Sequence, residues 1–235
     1  MIRVTIDEKE VEVEEGTTIL EAADKLNIAI PTLCYHEALE PYGACRLCTV
    51  EITQDGRKRL VTACNYPIKR ELSVKTSSEQ VLKIRRMIME LLLARCPNVE
   101  IIRKMADDMG VTSTRFELAD EQCILCGLCV RVCDEIVGAH AISFVGRGVD
   151  REVDTPFRIE SDVCLACGAC AYVCPTHAIK LEDRIGYRHI WHASHELKVC
   201  KICGNYIAPV DQLEFIIEKL DLPADFFDTC VTCRD

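Results

Sequence analysis

One cysteine pattern occurs twice in this chain. Residues 123–133 run Cys-Ile-Leu-Cys-Gly-Leu-Cys-Val-Arg-Val-Cys, and residues 164–174 run Cys-Leu-Ala-Cys-Gly-Ala-Cys-Ala-Tyr-Val-Cys. Each reads C-x2-C-x2-C-x3-C, in which three close thiolates grip one cubane and the fourth reaches a neighbouring cubane. The pattern predicts two [4Fe–4S] clusters, the first on Cys123, Cys126, Cys129 and Cys174 and the second on Cys133, Cys164, Cys167 and Cys170. Two zinc knuckles are a poor alternative, because tetrahedral zinc leaves the third cysteine of each triplet idle. Pro175 follows Cys174 directly, as in the C-P ending of such runs, whereas Asp134 follows Cys133.

The same chemistry colours the composition. Of 235 residues 17 are cysteine, so the 49% hydrophobic content overstates the packable side chains, and with 6% aromatics the cores must rest on Val, Ile, Leu and Ala. Metal clusters are expected to supply part of the cohesion that small modules lack. A formal net charge of −10 argues against a nucleic-acid partner. The basic run Lys83-Ile84-Arg85-Arg86 reads as the solvated or docking face of one helix. Met1 to Glu8 holds neither an apolar export core nor an arginine pair, and the apolar stretch Met87 to Ala94 is broken by Glu90 and too short to span a bilayer. The expectation is a cytoplasmic protein without a membrane span, where a cysteine-rich chain is a metal protein before a disulfide protein.

Residues 1–80 carry a second cysteine set. Arg3 to Ile6 and Val11 to Glu14 alternate apolar and polar residues about a turn at Asp7 to Glu10, predicting a half-buried hairpin. Gly16-Thr17-Thr18 caps a helix with Ile19, Ala22, Ala23 and Leu26 on its apolar face. Cys34, Cys45, Cys48 and Cys64 follow, with a second hairpin predicted around Asp55-Gly56. Hairpin, helix, cysteine loop and hairpin is the order of a β-grasp ferredoxin holding a [2Fe–2S] cluster. Four-cysteine zinc is the alternative. A Rieske reading through His36 fails, since such clusters need two histidines and four cysteines are already present. His36 is read as a loop residue that hydrogen-bonds near the cluster.

Ten residues separate Cys34 from Cys45, unlike the plant-type C-x4-C-x2-C. With that long gap, Pro31-Thr-Leu-Cys34-Tyr-His36, Gly43-Ala-Cys45-Arg-Leu-Cys48 and Ala63-Cys64 resemble the iron–sulfur (diaphorase) subunit of bidirectional NAD-linked hydrogenases. The same arrangement opens the large iron–sulfur subunit of respiratory complex I and many [FeFe] hydrogenases. Residues 133–148, down to Ser143-Phe-Val-Gly-Arg-Gly148, resemble that family again. Gly146 and Gly148 do not make a dinucleotide loop, lacking a third glycine and a helix signature.

The resemblance implies a third module after the helix that starts near Val81, with one histidine and three cysteines binding a further [4Fe–4S] cluster. This chain departs from it. Between Arg95 and Gln122 there is one cysteine, Cys96, and no histidine. Val99, Ile102, Met105, Ala106 and Met109 have helical spacing instead, with Gly110 as a C-cap, so a plain helical connector is expected and Cys96 is read as a buried thiol.

After a short closing strand at Ala178 to Leu181, Cys200-Lys-Ile-Cys203-Gly204 and Cys230-Val-Thr-Cys233 form two C-x2-C knuckles. Val210, Leu213, Ile216, Ile217 and Leu220 trace a helix between them, and Pro223 opens a second, short one. Four cysteines suit a tetrahedral metal. Zinc is favoured, although the spacing also admits an iron–sulfur cluster. His189, His192 and His195 recur every third residue and are read as one helix face rather than as ligands, and Tyr187 and Trp191 fit a docking surface.

The fold expected is therefore α+β in four parts: a β-grasp [2Fe–2S] ferredoxin domain over 1–80, a helical connector over 81–118, a bacterial-type 2[4Fe–4S] ferredoxin domain over 119–185, and a four-cysteine metal-binding segment over 186–235. No catalytic residue is expected, since the chain shows no nicotinamide, flavin, H-cluster, NiFe or molybdenum signature. The family implies an electron-transfer subunit working with a flavin- and NAD(P)-binding subunit and a catalytic hydrogenase or formate dehydrogenase subunit, with soluble ferredoxin a further exchange partner. A free-standing multi-cluster carrier is the alternative, and a structural or metal-sensing protein is a third.

Overall fold

A computed structural model describes residues 1–234. The chain divides into two units, Met1–Cys126 and Gly127–Asp235, each treated on its own below.

The first unit begins with the predicted hairpin, β1 (Ile2–Ile6) against β2 (Lys9–Val13), turning through Asp7 and Glu8 in left-handed conformations. Thr18 caps α1 (Ile19–Lys25) in a complete capping box: its hydroxyl accepts from the Glu21 N–H, and the Glu21 carboxylate accepts from the Thr18 N–H at 2.7 Å. The second hairpin pairs β3 (Thr49–Gln54) with β4 (Arg57–Thr62) about Asp55-Gly56, as the sequence predicts. The strand that joins the hairpins is β5 (Leu72–Lys75), parallel to β1 and antiparallel to β3, giving the order β2-β1-β5-β3-β4. Val4, Ile6, Ile19, Ala22, Val50 and Ile52 are wholly buried between sheet and helix.

Two further helices complete this unit, α2 (Glu79–Arg95) and α3 (Glu100–Asp108). They stand where the connector is expected, and Gly110 adopts the left-handed backbone that ends α3. Met89, Cys96, Ile102 and Ala106 form a core with Leu33 and Leu47. Because Leu33 and Leu47 each precede a cysteine of the first set, the connector is the floor under the loops that carry Cys34 and Cys48.

In the second unit α4 (Leu128–Arg131) runs into a π-helical turn over Val132–Val137, and β6 (Ser143–Val145) pairs with β7 (Glu152–Asp154). The short helix α5 (Ala169–Tyr172) follows the second cysteine loop. A four-stranded antiparallel sheet comes next, in the order β11-β10-β9-β8, from β8 (Leu181–Arg184), β9 (Tyr187–Ile190), β10 (Ala193–Val199) and β11 (Tyr206–Pro209), and α6 (Val210–Leu220) packs on β10 and β11. This sheet corrects two readings. The closing strand begins at Leu181 and excludes Ala178 and Ile179, and the three histidines lie on β9, β10 and their turn rather than on a helix. After Pro223 the described residues form turns, not a second helix. Among the described residues no helix is long and apolar enough to cross a membrane.

Candidate metal centres

The first four cysteines are drawn together in pairs. The N–H of Cys45 points at Cys34 Sγ from 3.4 Å, and Cys48 Sγ lies 3.3 Å from Cys64 Sγ. Cys34, Cys48 and Cys64 are buried, with Cys45 half-buried. The close Cys64 sulfur brings Cys48 down to about 7, while sharing with Cys34 and burial push Cys45 well above the usual thiol range. Two sulfurs beside two sulfurs suits a two-iron cluster, in which each iron takes two thiolates. A cation stands behind this site. Arg85 lies on the buried stripe of α2 with Val81 and Met89, is 7% exposed, and donates through Nη2 to the Thr49 carbonyl at 2.8 Å, one residue past Cys48. Its Nε is buried without a partner. Arg85 is thus not part of a solvated basic face, unlike the exposed Lys83 and Arg86.

The repeated cysteine pattern is matched by a repeated backbone. Leu125 and Ala166, each one residue before the second cysteine of its run, take left-handed φ values of 54° and 48°, and Gly127 and Gly168 follow at 77° and 78°. A Cβ on Gly168 would meet Leu181 Cδ1 at 2.9 Å, a contact the end of the leucine can relieve, so it is the left-handed backbone that favours glycine here. Such loops turn N–H groups toward sulfur: Leu125 N–H donates to Cys123 Sγ at 3.4 Å, Ala141 to Cys133 Sγ at 3.3 Å and Ala178 to Cys174 Sγ at 3.4 Å. Cys126, Cys129 and Cys174 are buried. Cys133, Cys164, Cys167 and Cys170 line one cavity in the second unit, walled by Val137, Ala139, Ile142, Leu165, Ile190 and Trp191. Burial pushes the Cys170 thiol up to about 12, and the Trp191 side chain on the same cavity wall acts in the opposite direction. These four are the residues that the alternating pattern assigns to one cubane.

The third set converges more tightly. The sulfurs of Cys200, Cys203, Cys230 and Cys233 all lie within 4.8 Å of one another, and among the described residues this is the one such gathering of three or more His, Cys, Asp or Glu. Cys203 and Cys230 are 3.7 Å apart. Four sulfurs at about 2.3 Å from a single ion are separated by about 3.8 Å along a tetrahedron edge. A cubane puts each thiolate on a different iron and spreads them wider. The loops are held by Gly204 N–H to the Cys200 carbonyl at 3.0 Å, Cys233 N–H to the Cys230 carbonyl at 3.0 Å, and Cys230 N–H to Cys200 Sγ at 3.3 Å. The N–H groups of Cys203 and Cys230 hold Cys200 down to about 6. Asp228 ties the knuckles together, pairing with Lys198 at 2.9 Å and with Lys201.

Residues 1–79 match the family model described as a 2Fe-2S iron-sulfur cluster binding domain, and residues 122–178 match a 4Fe-4S dicluster domain. Among solved structures, a chain of an NAD+-reducing [NiFe]-hydrogenase in the H2-reduced state shares 31% identity at a TM-score of 0.57, covering 66% of this chain and 74% of that one. This chain belongs to the iron–sulfur subunit family of NAD-linked hydrogenases. The family reaches into longer proteins. The NADPH-Fe(3+) oxidoreductase subunit alpha of Geobacter sulfurreducens is 38% identical, the match covering 66% of this chain and 21% of the relative. An NADH-quinone oxidoreductase subunit of Rhizobium meliloti is 35% identical, over 65% and 21% of the two chains, and the NADP-reducing hydrogenase subunit HndD of Solidesulfovibrio fructosivorans is 33% identical, over 63% and 30%. The chain thus spans between a fifth and a third of the length of these curated relatives.

Several polar residues fall elsewhere than the sequence suggests. His36 turns its ring nitrogen onto the Ala38 N–H at 3.2 Å, capping its own turn. His189 meets Ser194 Oγ at 2.8 Å, His192 meets Asp154 at 2.7 Å, and the buried His195 meets Asp211 at 2.6 Å, so none joins the four-cysteine group. Tyr187 is exposed, in keeping with a surface role, whereas Trp191 is half-buried on the cavity wall. Arg85 and Trp191 are the site residues that sequence reasoning missed. The only signal for Arg85 was its place four residues from both Val81 and Met89, and for Trp191 there was none in local spacing.

Proposed function

We propose that this chain relays single electrons between a flavin- and NAD(P)-binding subunit and a catalytic subunit of hydrogenase or formate dehydrogenase type, or a ferredoxin. The observation that carries this reading is the sorting of cysteines into sets of different geometry: two pairs in the first unit, four around one cavity in the second, and one tight tetrad near the end. On this reading Cys34, Cys45, Cys48 and Cys64 hold a [2Fe–2S] cluster, and Cys133, Cys164, Cys167 and Cys170 hold a [4Fe–4S] cluster. Cys123, Cys126, Cys129 and Cys174 hold the other cubane, by the alternation of the two runs. Bound there, the clusters supply one-electron redox chemistry and the chain supplies their setting. It buries three of the four [2Fe–2S] ligands, aims N–H groups at Cys123, Cys133 and Cys174, and keeps Arg85 beside Cys48.

The tetrad at Cys200, Cys203, Cys230 and Cys233 is read as structural zinc. A 3.7 Å separation of two sulfurs supports a single ion, and a closed four-cysteine shell leaves no open position for catalysis. The test is anaerobic purification of the chain with whatever polypeptides accompany it, followed by iron, sulfide and zinc analysis and electron paramagnetic resonance after dithionite reduction. One [2Fe–2S] signal, two [4Fe–4S] signals and one zinc per chain in a stoichiometric complex are expected. Clusters in a solitary chain would favour a free carrier, and signals that never appear on reduction would end the electron-transfer reading.

A further inference from the structure

The match to the dicluster domain ends at residue 178, yet the wall of the second cluster's cavity does not. Ile190 and Trp191, at the end of β9 and in the turn to β10, close it from outside that domain. Three anchors hold this turn in place. Arg188 donates through Nη1 to the carbonyl of Ala166, inside the loop between Cys164 and Cys167, at 3.2 Å, and is itself fixed by Asp183 at 2.8 and 2.9 Å. His192 is pinned to Asp154 at 2.7 Å, and Ile190 is buried. Between them Trp191 adopts a left-handed φ of 53°, a conformation that costs a bulky residue energy and persists only where its surroundings impose it. The turn sets Trp191 on the cavity wall that it shares with Cys170.

We propose that Trp191 is the positioning residue for the second cubane, its ring closing the cluster against water and its indole N–H donating to the Cys170 sulfur. The inference rests on the reading of Cys133, Cys164, Cys167 and Cys170 as one [4Fe–4S] site. A donor to a cluster thiolate stabilises the more negative, reduced state, so it raises the reduction potential. The ring acts separately, by excluding solvent. The β8–β11 sheet, besides carrying the cysteine tetrad, is therefore a device that sets the electron affinity of one cubane and leaves the other two clusters alone.

Trp191→Phe keeps an aromatic ring and removes the donor. In the full chain with its clusters, one cubane potential is expected to become more negative, with the reduced-to-oxidised ratio at a fixed poise falling about fivefold, a tenfold change being 59 mV for one electron. The other cubane and the [2Fe–2S] centre should not move. A second measurement needs no variant. Trp191 is the chain's only tryptophan, so labelling with indole-15N tryptophan marks one nitrogen. Electron–nuclear double resonance of the reduced wild type should then show a 15N coupling to a cubane. An unmoved or more positive potential in Trp191→Phe, or no 15N coupling in the labelled wild type, overturns the proposal. Both measurements are made on protein whose iron content shows two cubanes. Wild type that never holds a second cubane would instead overturn the ligand assignment on which the proposal stands.

Discussion

Removing the metal from the C-terminal tetrad should loosen the end of the chain and leave the first unit intact. The twenty-six residues from Gly204 to Thr229 run through β11 and α6 between the two knuckles. An ion bound by both knuckles closes that segment as a cross-link closes a loop. The chain-entropy relation for a loop of roughly 27 residues gives about 3.5 kcal/mol at 25 °C, or several hundredfold in a local opening equilibrium. Little else holds the knuckles together. Cys203 is exposed, the backbone N–H bonds between them among the described residues are Lys201 N–H to the Asp228 carbonyl and Cys230 N–H to Cys200 Sγ, and the Asp228 ion pairs are partly open to solvent. Cys203→Ser, or competition by a chelator, removes the clamp. Amide hydrogen exchange followed by mass spectrometry is the assay, with β10, β11 and α6 expected to exchange several hundredfold faster while β1, β3 and α1 keep their protection. Unchanged protection over residues 193–220 in metal-free protein would refute the clamp, because it would mean that the packing of α6 on β10 suffices alone.

Arg85→Met should make the [2Fe–2S] potential more negative, by an amount on the order of 50 mV for the loss of a partly screened cation beside Cys48, as read by a redox titration followed by electron paramagnetic resonance. Thr18→Ala breaks the capping box and should lower the stability of the first unit by about 1 kcal/mol, visible as a reduced thermal midpoint with the cluster content unchanged. Cys96, 0% exposed and pushed up to about 11 by burial, should resist iodoacetamide at pH 8 in the native protein and react once it is unfolded, as mass spectrometry will show. Because its folded value lies above the ordinary thiol value, it leaves stability unaffected below about pH 8.5 and lowers it as the pH rises toward 11.

What could be read in advance follows from how local each signal is. The β1–β2 hairpin alternates over five residues a strand, the β3–β4 hairpin is marked by its Asp55-Gly56 turn, and α2 and α3 carry apolar stripes long enough to define a period, so their existence was legible. β5 was not. Its Leu72 and Val74 alternate over only four residues, and they are buried because β1 and β3, far away in sequence, lie on either side. The histidines mislead for the opposite reason. A spacing of three suggests a helix, but a two-residue turn at Trp191 and His192 lies between His189 and His195, and the spacing is a product of that turn. The cysteine sets were legible because a covalent ligand pattern survives whatever the backbone does around it.

The residues that tune those sets were hidden because each acts on cysteines distant from it in the chain. Arg85 reaches Thr49 across 36 residues and Arg188 reaches Ala166 across 22. This also bears on the connector. α2 and α3 pack Met89, Cys96 and Ile102 under Leu33 and Leu47 and set Arg85 at Thr49. The connector thus both supports the loops of the first cysteine set and places a cation one residue past Cys48. Helical mutations that leave every cysteine in place, Ile102→Ala foremost, should therefore disturb the first cluster before they unfold the sheet.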